Sequence, residues 1–237
     1  MRSTRPGSAI RAVLFDKDGT LIDFHRTWGP INRQAALFAS RGDGALAEAI
    51  LADCGMDSTT GITRADSLFA AANPREIAAR MVELGARFTV DGLVEGLDDL
   101  FARAARHAVP IGDPGAVMRA LAARGNVFGV ASSDNERSIR ITLDALGLAN
   151  QVPFVAGYDS GHGVKPGPGM ALAFARFLGV SPASIAMVGD NRHDLEMGRA
   201  AGAGLVVGVL SGTGTRETLT PLADHVISSI ADLPTIL

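Results

Sequence analysis

The stretch Ala12-Val13-Leu14-Phe15-Asp16-Lys17-Asp18-Gly19-Thr20 decides how the chain is read: four consecutive apolar residues break into an acidic loop that contains a glycine. A short apolar run bounded by turn residues has the pattern of a strand buried on both faces, as in a parallel sheet. The layout recurs downstream. Residues 127–131 (VFGVA) run into Ser-Ser-Asp-Asn, 154–156 into Gly-Tyr-Asp-Ser-Gly, 185–188 (IAMV) into Gly-Asp-Asn, and 204–210 (GLVVGVL) into Ser-Gly-Thr-Gly. Between them lie stretches of helical period at 114–124, 136–146, 169–178 and 194–201. Strands alternating with helices predict an α/β fold with a parallel sheet and right-handed crossovers. Ligands of such sheets bind beyond the carboxyl ends of the strands, where all these polar loops fall.

Residues 24–107 interrupt the alternation. They hold no convincing strand, only Ala-, Leu- and Arg-rich stretches of helical spacing at 28–39, 45–51, 74–84 and 93–105, with a polar loop at 57–66. The expected organisation is a core of residues 1–23 and 108–237 carrying a helical insert, residues 24–107, with the chain returning through Val109-Pro110-Ile111-Gly112. Trp28, Leu37 and Phe38 are expected in the core of that insert. Over the 237 residues, 47% hydrophobic and 20% charged side chains suffice for a sizeable core and exclude general disorder. A net charge of −3 gives no basic field for a phosphate backbone, so nucleic acid is not an expected partner. The single cysteine, Cys54, excludes an internal disulfide or a multi-thiolate metal site. No apolar run approaches membrane-spanning length, and the opening residues lack a signal-peptide pattern; the expectation is a cytoplasmic protein without membrane contact.

Two acidic pairs stand at strand ends. Asp16 and Asp18, with Gly19 permitting a tight turn, offer a nucleophile beside a general acid/base; the plain alternative is a solvated turn. Asp190 and Asp194 lie four residues apart where a strand passes into a helix, a spacing that fits oxygen ligation of a hard divalent cation and equally a helix cap. Ser132 ends another strand, where its hydroxyl and the following N–H groups can bind a phosphoryl oxygen. Lys165, in Gly-Val-Lys-Pro-Gly-Pro, is one of only two lysines among 22 basic residues, the other being Lys17. A compact ammonium suits the joint neutralisation of a carboxylate and a phosphate. The loop Ser211-Gly212-Thr213-Gly214 lacks the spacing of a nucleotide-binding loop and reads as structural, at the sheet edge and near the insert.

In this order, Phe15-Asp16-Lys17-Asp18-Gly19-Thr20-Leu21, Ser132, Lys165-Pro166 and Gly189-Asp190 through Asp194, followed by Ala200-Ala201-Gly202, resemble the four motifs of the haloacid dehalogenase superfamily. The resemblance spans residues 12–210 and is most like the phosphoglycolate phosphatase group. It implies a doubly wound, Rossmann-like parallel sheet, with residues 24–107 as an all-helical cap that sets specificity. It also implies a Mg²⁺-dependent phosphatase acting on a small phosphorylated metabolite, phosphoglycolate-like, as a monomer or homodimer. Asp16 would be the nucleophile that forms an aspartyl-phosphate, and Asp18 the general acid and then base. Thr20, Ser132, Ser133 and Lys165 would bind or orient the phosphate. The metal would be held by Asp16, the Asp18 backbone carbonyl, Asp190 and Asp194.

Lys17 departs from the apolar residue more usual between the two aspartates, and Arg192 leaves room for an added role. Arg26, Arg33, Arg64 and Arg75 are candidates for a substrate carboxylate. His25 stands near a phosphomutase position, but no lysine accompanies it in the insert. A phospho-aspartate signalling module, a sugar-phosphate phosphomutase or phosphatase of the same superfamily, and a silent binding protein are the alternatives.

Overall fold

The computed structural model describes residues 9–237; residues 1–8, assigned above to the core with 9–23, lie outside the described residues. In chain order the elements are β1 (Ala12–Phe15), α1 (Phe24–Ala39), α2 (Gly44–Asp53), α3 (Leu68–Ala71), α4 (Pro74–Glu83), α5 (Val90–Ala104), α6 (Pro114–Ala122) and β2 (Val127–Ala131). Then follow α7 (Glu136–Ala145), β3 (Phe154–Ala156), α8 (Gly169–Leu178), β4 (Ile185–Gly189), α9 (Arg192–Ala201), β5 (Leu205–Val209), α10 (Arg216–Leu219) and β6 (His225–Ile227). The strands form one parallel sheet in the order β3-β2-β1-β4-β5-β6. This is the doubly wound arrangement, in which the strand order reverses beside β1 and a crevice opens there.

The runs AVLF and IAMVG are buried throughout because helices cover both faces of the sheet. Val13, Phe15, Val130 and Val188 pack on one face with Met118, Leu121 and Ile139; Leu14, Ala131 and Met187 pack on the other with Met170 and Phe174. Each fully buried side chain of this size contributes about 2 kcal/mol of apolar burial.

Helices α1 to α5 build a second apolar cluster of their own around Ile50, Met81, Leu93 and Leu97. The chain leaves for them and returns along adjacent segments: Asp23 N–H donates to the Val109 carbonyl at 2.7 Å and Ile111 N–H to the Leu21 carbonyl at 3.0 Å. Trp28 is buried as expected, but Leu37 and Phe38 are 51% and 42% exposed, which corrects their placement in this core. The inward stripe of α1 runs through Trp28, Asn32, Ala35, Ala36 and Ala39, and residues 37 and 38 fall outside it. Phe38 instead rests against Phe88, ring centroids 5.3 Å apart.

Cys54 is fully buried, and that burial pushes its thiol up to about 12. Native protein at pH 8 is therefore expected to resist a thiol reagent that labels the unfolded chain within minutes; equal labelling rates would contradict this burial. Among the described residues no helix is long and apolar enough to cross a membrane.

Candidate active site

Phe15 stands in register with Val130 of β2 on one side and Val188 of β4 on the other. Asp16, Ser132 and Asp190 therefore leave the sheet at the same edge, within one or two residues of the strand ends, at the point where the strand order reverses. Gly19 has φ +80°, and a Cβ there would lie 2.6 Å from the Asp190 carboxyl carbon and 2.7 Å from the Gly212 Cα. Only glycine lets this turn close over Asp190.

Asp16, Asp190 and Asp194 each bring a carboxylate oxygen within 4.8 Å of the other two, and all three are buried. The Lys165 ammonium donates to Asp16 Oδ1 at 2.5 Å and to Asp194 Oδ1 at 2.6 Å. Asp194 caps the helix, its Oδ2 accepting from Asn191 N–H at 3.0 Å to complete the capping box of α9, and its Oδ1 stays in the cluster, held by Lys165. Asp190 Oδ2 accepts from the Thr213 N–H at 2.7 Å and its hydroxyl at 3.2 Å. The Ser211 hydroxyl reaches the Gly19 carbonyl at 2.8 Å. The 211–214 loop thus braces the acidic site, where the sequence reading brought it towards the helical insert.

Burial, and after it the Asp194 charge, raise Asp16 to about 7 despite Lys165. Burial and then Asp16 and Asp194 hold Asp190 well above the usual carboxylate range. Burial opposes the charged form of Lys165, but Asp16 and Asp194 outweigh it and raise that group. Three converging carboxylates against one ammonium leave excess negative charge, and Asp16 Oδ2 is buried without a hydrogen-bond partner. This all-oxygen donor set fits a hard divalent cation.

Asp18 lines the same cleft but is not one of those three carboxylates. Its Oδ1 accepts from Lys17 Nζ at 2.9 Å and from Trp28 Nε1 at 2.5 Å, and Ser132 Oγ lies 3.4 Å from Oδ2. Lys17 is fully buried, also bonds Asp134 Oδ2 at 3.1 Å, and sits 4.9 Å from the Trp28 ring centroid. Burial disfavours its charge, yet Asp18 and Asp134 more than compensate and raise it. Both lysines of the chain are therefore committed to aspartates of the site. Trp28, Asp134 and Thr213 are the positioning residues that sequence reasoning missed. A tryptophan in a helix reads as packing, and only the tertiary contact shows its N–H on a carboxylate.

The Ser132 hydroxyl accepts from Asp134 N–H at 3.1 Å and lines the cleft. Ser133 also lines it, but its hydroxyl donates to the Ala71 carbonyl at 3.1 Å, joining the β2 loop to the end of α3. Thr20 is buried beneath the turn and does not line the cleft. From the helices come Phe24, Trp28, Asn32, Phe69, Ile77 and Phe101. Arg26, Arg33, Arg64 and Arg75 are absent from the lining, and Arg75 instead pairs with Asp91 at 2.5 Å. Arg192 pairs with Glu196 at 3.2 Å along α9, whereas its neighbour His193 faces the cleft. His25 Nδ1 accepts from the Thr63 N–H at 3.5 Å and is not part of the lining.

A family model described as haloacid dehalogenase-like hydrolase matches residues 10–202. The chain is 32% identical over 215 residues to a phosphoglycolate phosphatase of Rhodospirillum rubrum, covering 83% of this chain and 78% of the relative. It is 30% identical over 193 residues to a phosphoglycolate phosphatase of Xylella fastidiosa, covering 81% and 77%. In fold it is similar to CbbY from Rhodobacter sphaeroides, with TM-score 0.71, 18% identity and 94% and 96% of the two chains covered. A hydrolase from Pseudomonas syringae gives TM-score 0.71, 21% identity and 95% and 96% coverage. A family match across most of the chain, on a doubly wound sheet whose strand ends gather the acidic cluster, makes this protein an enzyme of the haloacid dehalogenase-like hydrolase family.

Proposed function

We propose that the protein is a Mg²⁺-dependent phosphatase that hydrolyses a small phosphate monoester through an aspartyl-phosphate on Asp16, with helices α1 to α5 acting as the cap over the site. The observation that carries this reading is the state of the Asp16 carboxylate: Oδ1 is held by Lys165, while Oδ2, at the end of the central strand, is buried and unpartnered. Such an oxygen is oriented and unsolvated, the condition of a nucleophile awaiting its electrophile.

In the proposed reaction Asp16 Oδ2 forms a bond to phosphorus as the bond to the ester oxygen breaks. Asp18, protonated at this stage, gives its proton to that departing oxygen. The Asp18 carboxylate then takes a proton from the water that attacks the acyl-phosphate, releasing inorganic phosphate and restoring Asp16. Ser132 and Lys165 orient the phosphoryl oxygens, together with the backbone N–H of Ser133 in the loop after β2. Asp16, Asp190, Asp194 and the Asp18 carbonyl would hold Mg²⁺, which when bound offsets the repulsion between the carboxylates and the incoming phosphate. Lys17 and Trp28 fix Asp18 through its Oδ1.

The test is phosphate release from p-nitrophenyl phosphate with Mg²⁺ and again with excess chelator. Release that needs the metal is expected; metal-independent release, or none at all, would overturn the reading.

A further inference from the structure

The part of the cleft built by the helices carries no ionised side chain among its lining residues. Phe24, Trp28 and Asn32 occupy positions i, i+4 and i+8 of α1 and share one face, which lines the cleft with Phe69, Ile77 and Phe101. Over the whole lining there are five aspartates and one lysine, with His193 beside them, and that lysine is engaged by Asp16 and Asp194. The N-terminus of α4, which reaches the cleft at Pro74, offers no spare anion donors: the Arg75 and Glu76 amides are taken by Asn73 Oδ1, and the Asn73 amide by Glu76.

One polar side chain of the helical face is unused. Asn32 is 3% exposed, and its Nδ2 is buried without a hydrogen-bond partner. A buried amide without a partner is costly, and one that lines a cleft is open to an acceptor entering it.

We propose that the cleft selects phosphate monoesters whose leaving group is uncharged and largely apolar, carrying one acceptor oxygen for the Asn32 amide, and that it discriminates against leaving groups bearing a carboxylate. The proposal rests on the phosphatase reading above and narrows its substrate class. A carboxylate on the leaving group would be desolvated against Phe24, Phe69 and Phe101, where none of the lining residues from the helices α1 to α5 supplies a cation. A neutral carbonyl or hydroxyl is recognised at no such cost.

Three substrates of nearly equal shape separate the terms: phosphoglycolate, with a carboxylate; hydroxyacetone phosphate, its neutral methyl-ketone counterpart; and isobutyl phosphate, which has no acceptor. With the full chain and Mg²⁺, kcat/KM for hydroxyacetone phosphate is expected to exceed that for phosphoglycolate at least tenfold. In Asn32→Leu the preference for hydroxyacetone phosphate over isobutyl phosphate is expected to shrink about tenfold, the scale of one lost hydrogen bond. Phosphoglycolate turned over as well as its neutral counterpart would overturn the inference and leave the phosphatase reading standing. An unchanged preference in Asn32→Leu would remove Asn32 from it. Failure to release phosphate from all three and from p-nitrophenyl phosphate would overturn the phosphatase reading and the inference with it.

Discussion

Asp16→Asn is expected to lower kcat by about four orders of magnitude or more, the scale on which loss of a covalent nucleophile acts, while the fold persists. Asparagine keeps the shape of the side chain, and its carbonyl oxygen can still accept from Lys165, which lies 2.5 Å from Asp16 Oδ1. It has no anionic oxygen to form the acyl-phosphate. The substitution also removes one of three buried carboxylates that repel one another, the interaction that together with burial raises Asp16 to about 7. The melting temperature without metal should therefore equal or exceed that of the parent at pH 8. Phosphate release measured alongside thermal unfolding checks both halves, and turnover within tenfold of the parent would exclude Asp16 as the nucleophile. Asp18→Asn provides the complementary experiment: if Asp18 acts as acid and then base, the phospho-enzyme either accumulates or never forms.

Lys165→Met is the second large effect, an expected loss of about a thousandfold in kcat/KM, comparable to losing a buried electrostatic stabiliser. The methionine fills much the same volume, so the change is one of charge. Asp16 and Asp194 then face each other and Asp190 without the ammonium that now bridges two of them. Removing one partner of a buried ion pair ordinarily costs about 3–5 kcal/mol. Here the cost to stability should be smaller, because Asp16 can take up a proton in place of the lost cation. Activity should thus fall much further than stability, as read by kinetics and thermal unfolding on the same preparation. A variant that unfolds outright but keeps its turnover per folded molecule would reverse this assignment and make Lys165 structural.

Much of the core was legible because its strands are buried on both faces. The runs at 127–131 and 154–156 became β2 and β3 without a change of boundary, since a continuous apolar stretch ending in turn residues has few other ways to fold. Helix α9 begins at Arg192, two residues before the apolar period suggests, because Asn191 supplies its cap. Strand β6 and the four-residue helices α3 and α10 escaped notice. Three or four residues at a sheet edge or in a loop are too few to display a period.

The candidate aspartates, Ser132 and Lys165 could be read from the chain because each stands beside a strand end or loop whose position is a local property. Their convergence follows from the parallel register that sets Phe15 between Val130 and Val188. What only the tertiary structure decided lies in contacts between distant elements: Trp28 on Asp18, Lys17 between Asp18 and Asp134, Thr213 on Asp190, and a cleft lining that Arg26, Arg33, Arg64 and Arg75 do not join. Periodicity tells which face of a helix is buried, but the identity of what covers that face depends on the packing of segments far apart in the chain, and so does the difference between a tryptophan that fills a core and one that holds a carboxylate.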